Sequence, residues 1–133
     1  MENVRATYIG GCAAALLVLL SGCGGSKETV NVAAKRDTNV TVEMKARNFA
    51  FDPGRIVARK GDTLILHVTN VAKETHDITI KDPSGKIVRR ENLPSGEMVT
   101  VKVPLPDTGV YPFYCSIDFH AGLGMKGRIE VQE

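Results

Sequence analysis

Three side chains that can bind a soft metal ion lie close together near the end of the chain. Cys115, His120 and Met125 follow one another with four residues between each pair, in the segment YPFYCSIDFHAGLGMKG. A thiolate, a thioether and two imidazoles form the trigonal His2Cys site with a weak axial methionine that binds copper. His76, about forty residues before the cysteine, is available as the second imidazole. The spacing therefore predicts a metal site made of these four side chains.

The softness of these donors decides between metals. Thiolate, thioether and imidazole groups together favour copper over magnesium or calcium, which prefer oxygen ligands. Zinc can bind one cysteine and two histidines, but a methionine ligand is unusual for zinc. We therefore expect one copper ion, as Cu(I) or Cu(II), to be the cofactor.

The predicted strand before the loop orients the thiol. Tyr111, Phe113 and Cys115 are two residues apart, so they share one face of a β-strand. Two aromatic rings on that face indicate that it packs into the core, and the cysteine is then buried. Gly122 and Gly124 suit a tight loop, because glycine accepts positive φ angles.

Alternation of apolar and polar residues continues through most of the chain after residue 39. Val40, Val42 and Met44, for example, alternate with polar neighbours, and turn-forming segments such as Asp52-Pro53-Gly54 separate the runs. No amphipathic helix of useful length and no internal repeat interrupts this pattern. It predicts an all-β fold, an antiparallel sandwich or barrel. The predicted strands cover residues 40–45, 64–69, 77–81, 86–90, 98–103, 110–115 and 127–132.

The first 22 residues predict an export signal. Ile9 to Leu20 is an apolar stretch too short to span a bilayer comfortably, and Leu20-Ser21-Gly22-Cys23 follows it. This pattern resembles a bacterial lipoprotein signal, which is cut before the cysteine that then carries the lipid. An ordinary secretory signal that is cleaved nearby, or an uncleaved anchor, is the alternative.

We expect three segments along the chain. Residues 1–22 are the signal peptide, 23–39 are the lipidated Cys23 with a flexible linker, and 40–133 are one folded domain. Fully extended, such a linker would reach about 50 Å. The anchor implies a place in the cell envelope, on the periplasmic or extracytoplasmic face of a bacterial membrane.

The cysteine count supports a metal-bound thiol. Of the three cysteines, Cys12 lies in the predicted signal and Cys23 would carry lipid, so Cys115 is the only thiol of the predicted domain. Export implies an oxidising compartment, where an unprotected thiol is a liability. Metal coordination would protect it.

Charge and the remaining soft side chains are less informative. The formal net charge is +2, without a basic stripe that would indicate nucleic-acid binding. We interpret His67 as an exposed strand residue. Met44 and Met98 are interpreted as packing residues rather than as part of a copper-binding array.

The motifs together resemble those of the cupredoxins, the small blue copper proteins. The resemblance implies a Greek-key β-sandwich of about seven to eight strands with a mononuclear type 1 (blue) copper site near one end. It also implies that His76, Cys115 and His120 are equatorial ligands and Met125 the axial one, in a loop of the auracyanin and rusticyanin type. The segments that carry the resemblance are 109–115, His120, 124–127 and 129–131, with 56–63 and Thr75-His76-Asp77 upstream.

Two positions depart from the family pattern. Asp77 follows the first histidine where many relatives have an asparagine that braces the ligand loop; it can still accept a hydrogen bond from Ser116, and its charge would favour Cu(II). Asp118-Phe119 stands where many relatives carry Pro-Gly, which leaves the backbone path of the loop open.

The resemblance implies a protein that shuttles single electrons, and we expect it to be a monomer and not an enzyme. We expect electrons to pass through His120, which is surrounded by a docking patch for redox proteins such as cytochromes or membrane oxidoreductases. The patch consists of Phe119, Ala121, Leu123 and Met125. The alternative is that Phe119 and Leu123 only pack over the copper. Three histidines are too few for both a blue site and the histidine-rich cluster of a copper oxidase or nitrite reductase. The alternative function is an envelope copper chaperone or buffer.

Overall fold

The computed structural model describes residues 28–33 and 38–133, and its regular structure in those ranges consists of ten β-strands. The strands are β1 (Thr29–Asn31), β2 (Asn39–Arg47), β3 (Ala50–Asp52), β4 (Arg55–Arg59), β5 (Thr63–Asn70), β6 (His76–Lys81), β7 (Ile87–Leu93), β8 (Met98–Pro104), β9 (Gly109–Tyr114) and β10 (Lys126–Gln132). The predicted all-β class is confirmed.

The strand count exceeds the expected seven to eight because three strands lack the alternating pattern. β1 and β3 have three residues each, too few to show a period. In β4 the residues Ile56, Val57 and Ala58 are all buried, so that strand is a continuous apolar run.

The strands form two mixed sheets that pack face to face. One has the order β1-β4-β10-β9-β6-β7, and the other has the order β3-β2-β5-β8. β1 and β10 both pair in parallel with β4, and β2 pairs in parallel with β5. The expectation of purely antiparallel sheets was wrong for these three pairs. The alternation of apolar and polar residues shows which face of a strand is buried. It does not show whether the adjacent strand runs parallel or antiparallel.

Apolar side chains from both sheets fill the space between them. Leu64, Leu66 and Val68 of β5 are fully buried, and the rings of Phe51 and Phe113 meet edge to face with centroids 5.5 Å apart. Tyr111 and Phe113 are both buried, as the two-residue spacing predicts. The buried face of β9 thus leads directly to Cys115.

Strand β1 lies inside the segment 23–39 for which the sequence predicts a linker. The Val32 amide donates to the Val57 carbonyl at 2.8 Å, and the Val32 side chain is buried in the core. At the other end of β1, the Arg55 amide donates to the Glu28 carbonyl at 3.2 Å. Residues 28–32 are therefore attached to the first sheet.

The predicted signal peptide and Cys23 lie outside the residues that the structure describes. Within the described ranges, no helix is both long and apolar enough to cross a bilayer.

The remaining soft side chains have different positions. Met44 is buried in the core, as expected. Met98 is 55% exposed, so its interpretation as a packing residue was wrong; it is the first residue of β8, on the phase opposite Val99 and Val101. His67 is half-buried, and its Nδ1 lies 2.7 Å from Oε1 of Glu43.

An ion-pair network joins β4 to β10 and predicts a pH dependence of stability. The Arg55 guanidinium donates to both carboxylate oxygens of Glu130, at 3.0 and 2.6 Å, and Arg128 donates at 2.7 Å. The Arg55 hydrogen bonds, followed by those of Arg128, lower the pKa of Glu130 from 4.5 to about 2. A lowered folded-state pKa contributes stability that is present above the unfolded pKa and is lost as the pH falls towards the folded value.

Replacement Glu130→Gln is therefore expected to lower the melting temperature at neutral pH, with a difference from wild type that narrows as the pH falls from about 4.5 towards 2. Thermal unfolding near pH 7 and near pH 3 checks this. The exposed carboxylate of Glu97 provides the control, since Glu97→Gln removes the same charge without a strand-to-strand pair. A pH-independent difference for Glu130→Gln would contradict the expectation.

Candidate metal centre

Three of the four predicted metal ligands converge at one end of the sandwich. The Nδ1 atoms of His76 and His120 are 3.2 Å apart. The Cys115 sulfur lies 3.9 Å from the first of these nitrogens and 3.5 Å from the second. His76 and Cys115 are buried and His120 is half-buried. Residues that are 39 and 44 positions apart in sequence thus present three donor atoms to one point.

Strand ends place these side chains. His76 is the first residue of β6, Cys115 follows the last residue of β9, and Met125 precedes β10. The Cys115 amide donates to the Met125 carbonyl, and the Met125 amide donates to the His120 carbonyl, both at 3.0 Å. The Met125 side chain is fully buried. Two backbone hydrogen bonds therefore hold the predicted axial residue beside two of the converging residues.

The donor spacing fits a single copper ion. With bond lengths of about 2.0 Å to nitrogen and about 2.3 Å to sulfur, the values for zinc, a trigonal site would place the two nitrogens about 3.5 Å apart and each nitrogen about 3.7 Å from the sulfur. The observed separations of 3.2, 3.5 and 3.9 Å are close to that triangle. Two imidazoles and a thiolate are a donor set that suits copper, and the backbone of a buried methionine is hydrogen-bonded to two of these residues.

Asn48 and Phe49, in the turn between β2 and β3, complete the surroundings of the two histidines. The Nε2 atom of His76 lies 2.8 Å from the Asn48 amide oxygen, so its N–H donates there and Nδ1 is left free to bind metal. The Asn48 amide group in turn donates to Glu74 at 2.6 Å. The Phe49 ring lies against the His120 ring, with centroids 4.9 Å apart. Sequence reasoning missed both residues, because a turn residue distant from the loop carries no spacing signal.

Asp77 ties β6 to the ligand loop. Its carboxylate accepts hydrogen bonds from the backbone amide and the hydroxyl of Ser116, and from the Thr79 hydroxyl at 3.1 Å. The predicted hydrogen bond from Ser116 is therefore confirmed. Because Ser116 follows Cys115 directly, this buried carboxylate braces the backbone next to the thiol.

The loop path at Asp118-Phe119 is a series of turns. Asp118 has φ of 44°, a left-handed conformation that aspartate tolerates better than most residues. The His120 amide donates to the Ile117 carbonyl at 3.1 Å, which closes the turn around this position. The loop therefore reaches the histidine without the Pro-Gly pair of many relatives.

Comparison with known proteins agrees with this geometry. The family model of the cupredoxin-like domain matches residues 12–131. The chain belongs to the cupredoxin family. No curated protein matches the chain in sequence.

Solved structures of auracyanins share the cupredoxin fold of this chain. A dithionite-reduced auracyanin from Roseiflexus castenholzii is 21% identical, with a TM-score of 0.64 over 71% of this chain and 98% of its own. Auracyanin A from Chloroflexus aurantiacus, a blue copper protein, is 19% identical, with a TM-score of 0.62 over 71% of this chain and 99% of its own. Auracyanin B is 20% identical, with a TM-score of 0.63 over 83% and 97% of the two chains.

Burial favours the neutral forms of two side chains in the metal-free cupredoxin site, the Cys115 thiol and the His76 ring. It raises the pKa of the Cys115 thiol, and it is also the main cause that lowers the pKa of His76, with the neighbouring His120 ring as the second cause. Both groups are then neutral near pH 7 without a metal. Metal binding to the sulfur therefore requires release of the thiol proton.

The contact between Asn48 and His76 predicts a measurable contribution to metal binding. Asn48→Ala removes the acceptor that fixes the ring and its tautomer, and loss of such a partner typically costs about 10- to 100-fold in metal affinity. We expect the copper affinity to be lower by that factor, measured by competition with a chelator of known affinity. The visible absorption band of thiolate-bound Cu(II) should be retained. Asn39→Ala, at the start of β2, is the matched control. Equal affinity of the two variants would contradict a positioning role for Asn48.

Proposed function

We propose that this cupredoxin is a one-electron carrier with a mononuclear type 1 copper site. In this proposal His76, Cys115 and His120 are the equatorial ligands and Met125 is the axial ligand. The convergence of three donor atoms at one end of a cupredoxin fold carries the proposal. The fold is shared with auracyanin A, a blue copper protein.

The surrounding residues favour electron transfer because they allow the ligands little movement. Bound copper would supply the redox couple, alternating between Cu(I) and Cu(II). Asn48 fixes the His76 ring, Asp77 fixes the backbone after Cys115, and the loop hydrogen bonds fix Met125. A site whose ligands are held in place changes little between oxidation states, so the reorganisation that opposes electron transfer is small.

The same rigidity supports a carrier over a chaperone. A chaperone must release its metal to a partner through an accessible, exchangeable ligand. Here the thiol, the His76 ring and the Met125 side chain are all buried.

His120 is the proposed exit for electrons, because it is the one converging ligand that is not fully buried. Phe119 is 84% exposed and Leu123 is 60% exposed, with half-buried Ala121 between them in sequence. These three residues form the proposed docking patch. Met125, which was expected to belong to it, is buried and faces inward instead.

The docking patch predicts an effect on electron exchange between two copies of the protein. Leu123→Glu places charge in the patch without touching a ligand, so it should slow self-exchange by about tenfold or more, measured by NMR line broadening of mixed Cu(I) and Cu(II) samples. Val110→Glu adds the same charge at the start of β9, away from the metal end, and should have little effect. Equal rates for the two variants would contradict the docking patch.

Copper loading and reduction test the proposed function directly. Cu(II) added to the metal-free protein should give an intense visible band at one copper per chain. A one-electron reductant should bleach that band, and an oxidant should restore it over repeated cycles. A protein that binds copper without the band, or that loses copper on reduction, is not a type 1 carrier.

We also propose that the carrier is a lipoprotein of the cell envelope, anchored through Cys23 and exchanging electrons with redox proteins such as cytochromes or membrane oxidoreductases. The support is the signal pattern of residues 1–23. Mass spectrometry of the N-terminal peptide from membranes of a lipoprotein-processing bacterium should find a lipid on Cys23. A Cys23→Ala chain should appear in the soluble fraction; membrane association of that variant would contradict the anchor.

A further inference from the structure

Strand β1 fixes the place where the N-terminal part of the chain joins the domain. Thr29 pairs with Arg55, and Arg55 pairs on its other side with Arg128. These three residues lie in one row across β1, β4 and β10. Arg128 is three residues after Met125, so the row crosses the sheet about 10 Å below the metal end at about 3.3 Å per residue.

The direction of β1 is as important as its position. It runs parallel to β4, which runs parallel to β10, and β10 leads away from the metal centre. Followed backward from Thr29, the backbone at Glu28 therefore heads towards the end of the sandwich that contains His76, Cys115 and His120. An antiparallel β1 would have placed Glu28 at the far end.

The attachment of β1 also shortens the possible tether. Four residues separate Cys23 from Glu28, and their full extension reaches about 17 Å, compared with the 50 Å of the linker expected from sequence alone. Val30 packs against the core, and Val32 is 2% exposed. Release of β1 to lengthen the tether would expose both side chains.

The short tether then restricts the orientation of the domain on the membrane. Glu28 lies level with Gly127, five residues before the end of β10, so it is about 17 Å from the far end of that strand. The tether covers this distance only when it is fully extended, and its relaxed length is about 12 Å. A tether that joins the domain near its metal end disfavours an orientation with the far end on the membrane, because it would then have to be fully extended and would lose its conformational freedom.

We propose that β1 holds the metal end of the domain towards the bilayer to which the chain is anchored. The inference rests on the proposed lipid anchor at Cys23. It places the exposed Phe119 and Leu123 on the membrane side, and its electron partner is then a redox protein embedded in that same membrane.

Energy transfer from two labelled positions to the membrane tests the orientation. Lys73 lies in the turn before His76 at the metal end, and Lys60 lies at the far end, where its amide donates to the Gln132 carbonyl. Both are exposed, so Lys73→Cys and Lys60→Cys make the same change in charge and offer a labelling thiol while Cys115 is buried. The mature copper-loaded lipoprotein of each variant carries a donor dye and is inserted into phosphatidylcholine vesicles with an acceptor on the lipid headgroups.

The label at position 73 should transfer energy severalfold more efficiently than the label at position 60. Insertion of about fifteen Gly and Ser residues between Lys27 and Glu28 should remove most of that difference, because the longer tether allows the domain to turn. Equal efficiencies at the native length, or a higher value at position 60, would overturn the inference. Absence of energy transfer from both labels would show that the chain is not anchored, and it would overturn the inference for that reason. The visible copper band of the same samples tests the electron-carrier function separately.

Discussion

Replacement of Cys115 by serine is expected to abolish the intense visible band that Cu(II) gives with the wild-type protein. The band requires charge transfer from a thiolate to the metal, and the hard hydroxyl oxygen of serine does not supply it. The change is small in volume, so the fold should persist. Loss of the band then reports on the metal bond rather than on unfolding.

Titration with Cu(II), followed by visible spectroscopy, measures the effect of Cys115→Ser. Ser116→Ala is the matched control, since it alters the next residue and removes the hydroxyl hydrogen bond to Asp77 but leaves the sulfur and the backbone hydrogen bond in place. It should keep the band. An intense band in Cys115→Ser would mean that the sulfur is not a ligand.

The part of the metal site that is contiguous in sequence could be predicted from the sequence alone. Cys115, His120 and Met125 are close in sequence, and the two-residue period of Tyr111, Phe113 and Cys115 predicted the buried thiol that the structure shows. His76 required a further step, because its signals were its distance of about forty residues from the cysteine and the resemblance of Thr75-His76-Asp77 to the family pattern. The structure brings its Nδ1 to 3.2 Å from that of His120.

The sequence pattern did not predict contacts between residues that are distant in sequence. Nothing in the types of Asn48 or Phe49 indicates that a turn after β2 reaches the two histidines. The parallel pairing of β1 with β4 joins neighbouring strands of one sheet that are distant in sequence, and the alternation of apolar and polar residues does not report which strand lies beside another. For the same reason, the sequence predicts a linker at residues 29–31, where the structure has a strand. This difference shortens the inferred tether.

Close packing beneath the metal centre explains a glycine that the sequence pattern leaves unexplained. Gly127 is the second residue of β10 and pairs with Phe113 of β9. A β-carbon at this position would lie within 2.3 Å of the Gly54 carbonyl oxygen and within 2.4 and 2.5 Å of two atoms of the Phe113 ring. Phe113 is fully buried, and its ring packs edge to face against the Phe51 ring.

Gly127→Ala is therefore expected to destabilise the fold by about 3 kcal/mol, at the upper end of the usual cost of overpacking, because both the ring and the Gly54 backbone must shift. Chemical denaturation of the metal-free protein measures this. Copper affinity should fall as well, since Phe113 and Gly127 flank Cys115 and Met125 in sequence. Gly122→Ala is the control, because a β-carbon in that exposed turn would meet only the Phe119 carbonyl oxygen, at 3.2 Å. Wild-type stability in Gly127→Ala would show that β10 does not approach Phe113 and Gly54 so closely.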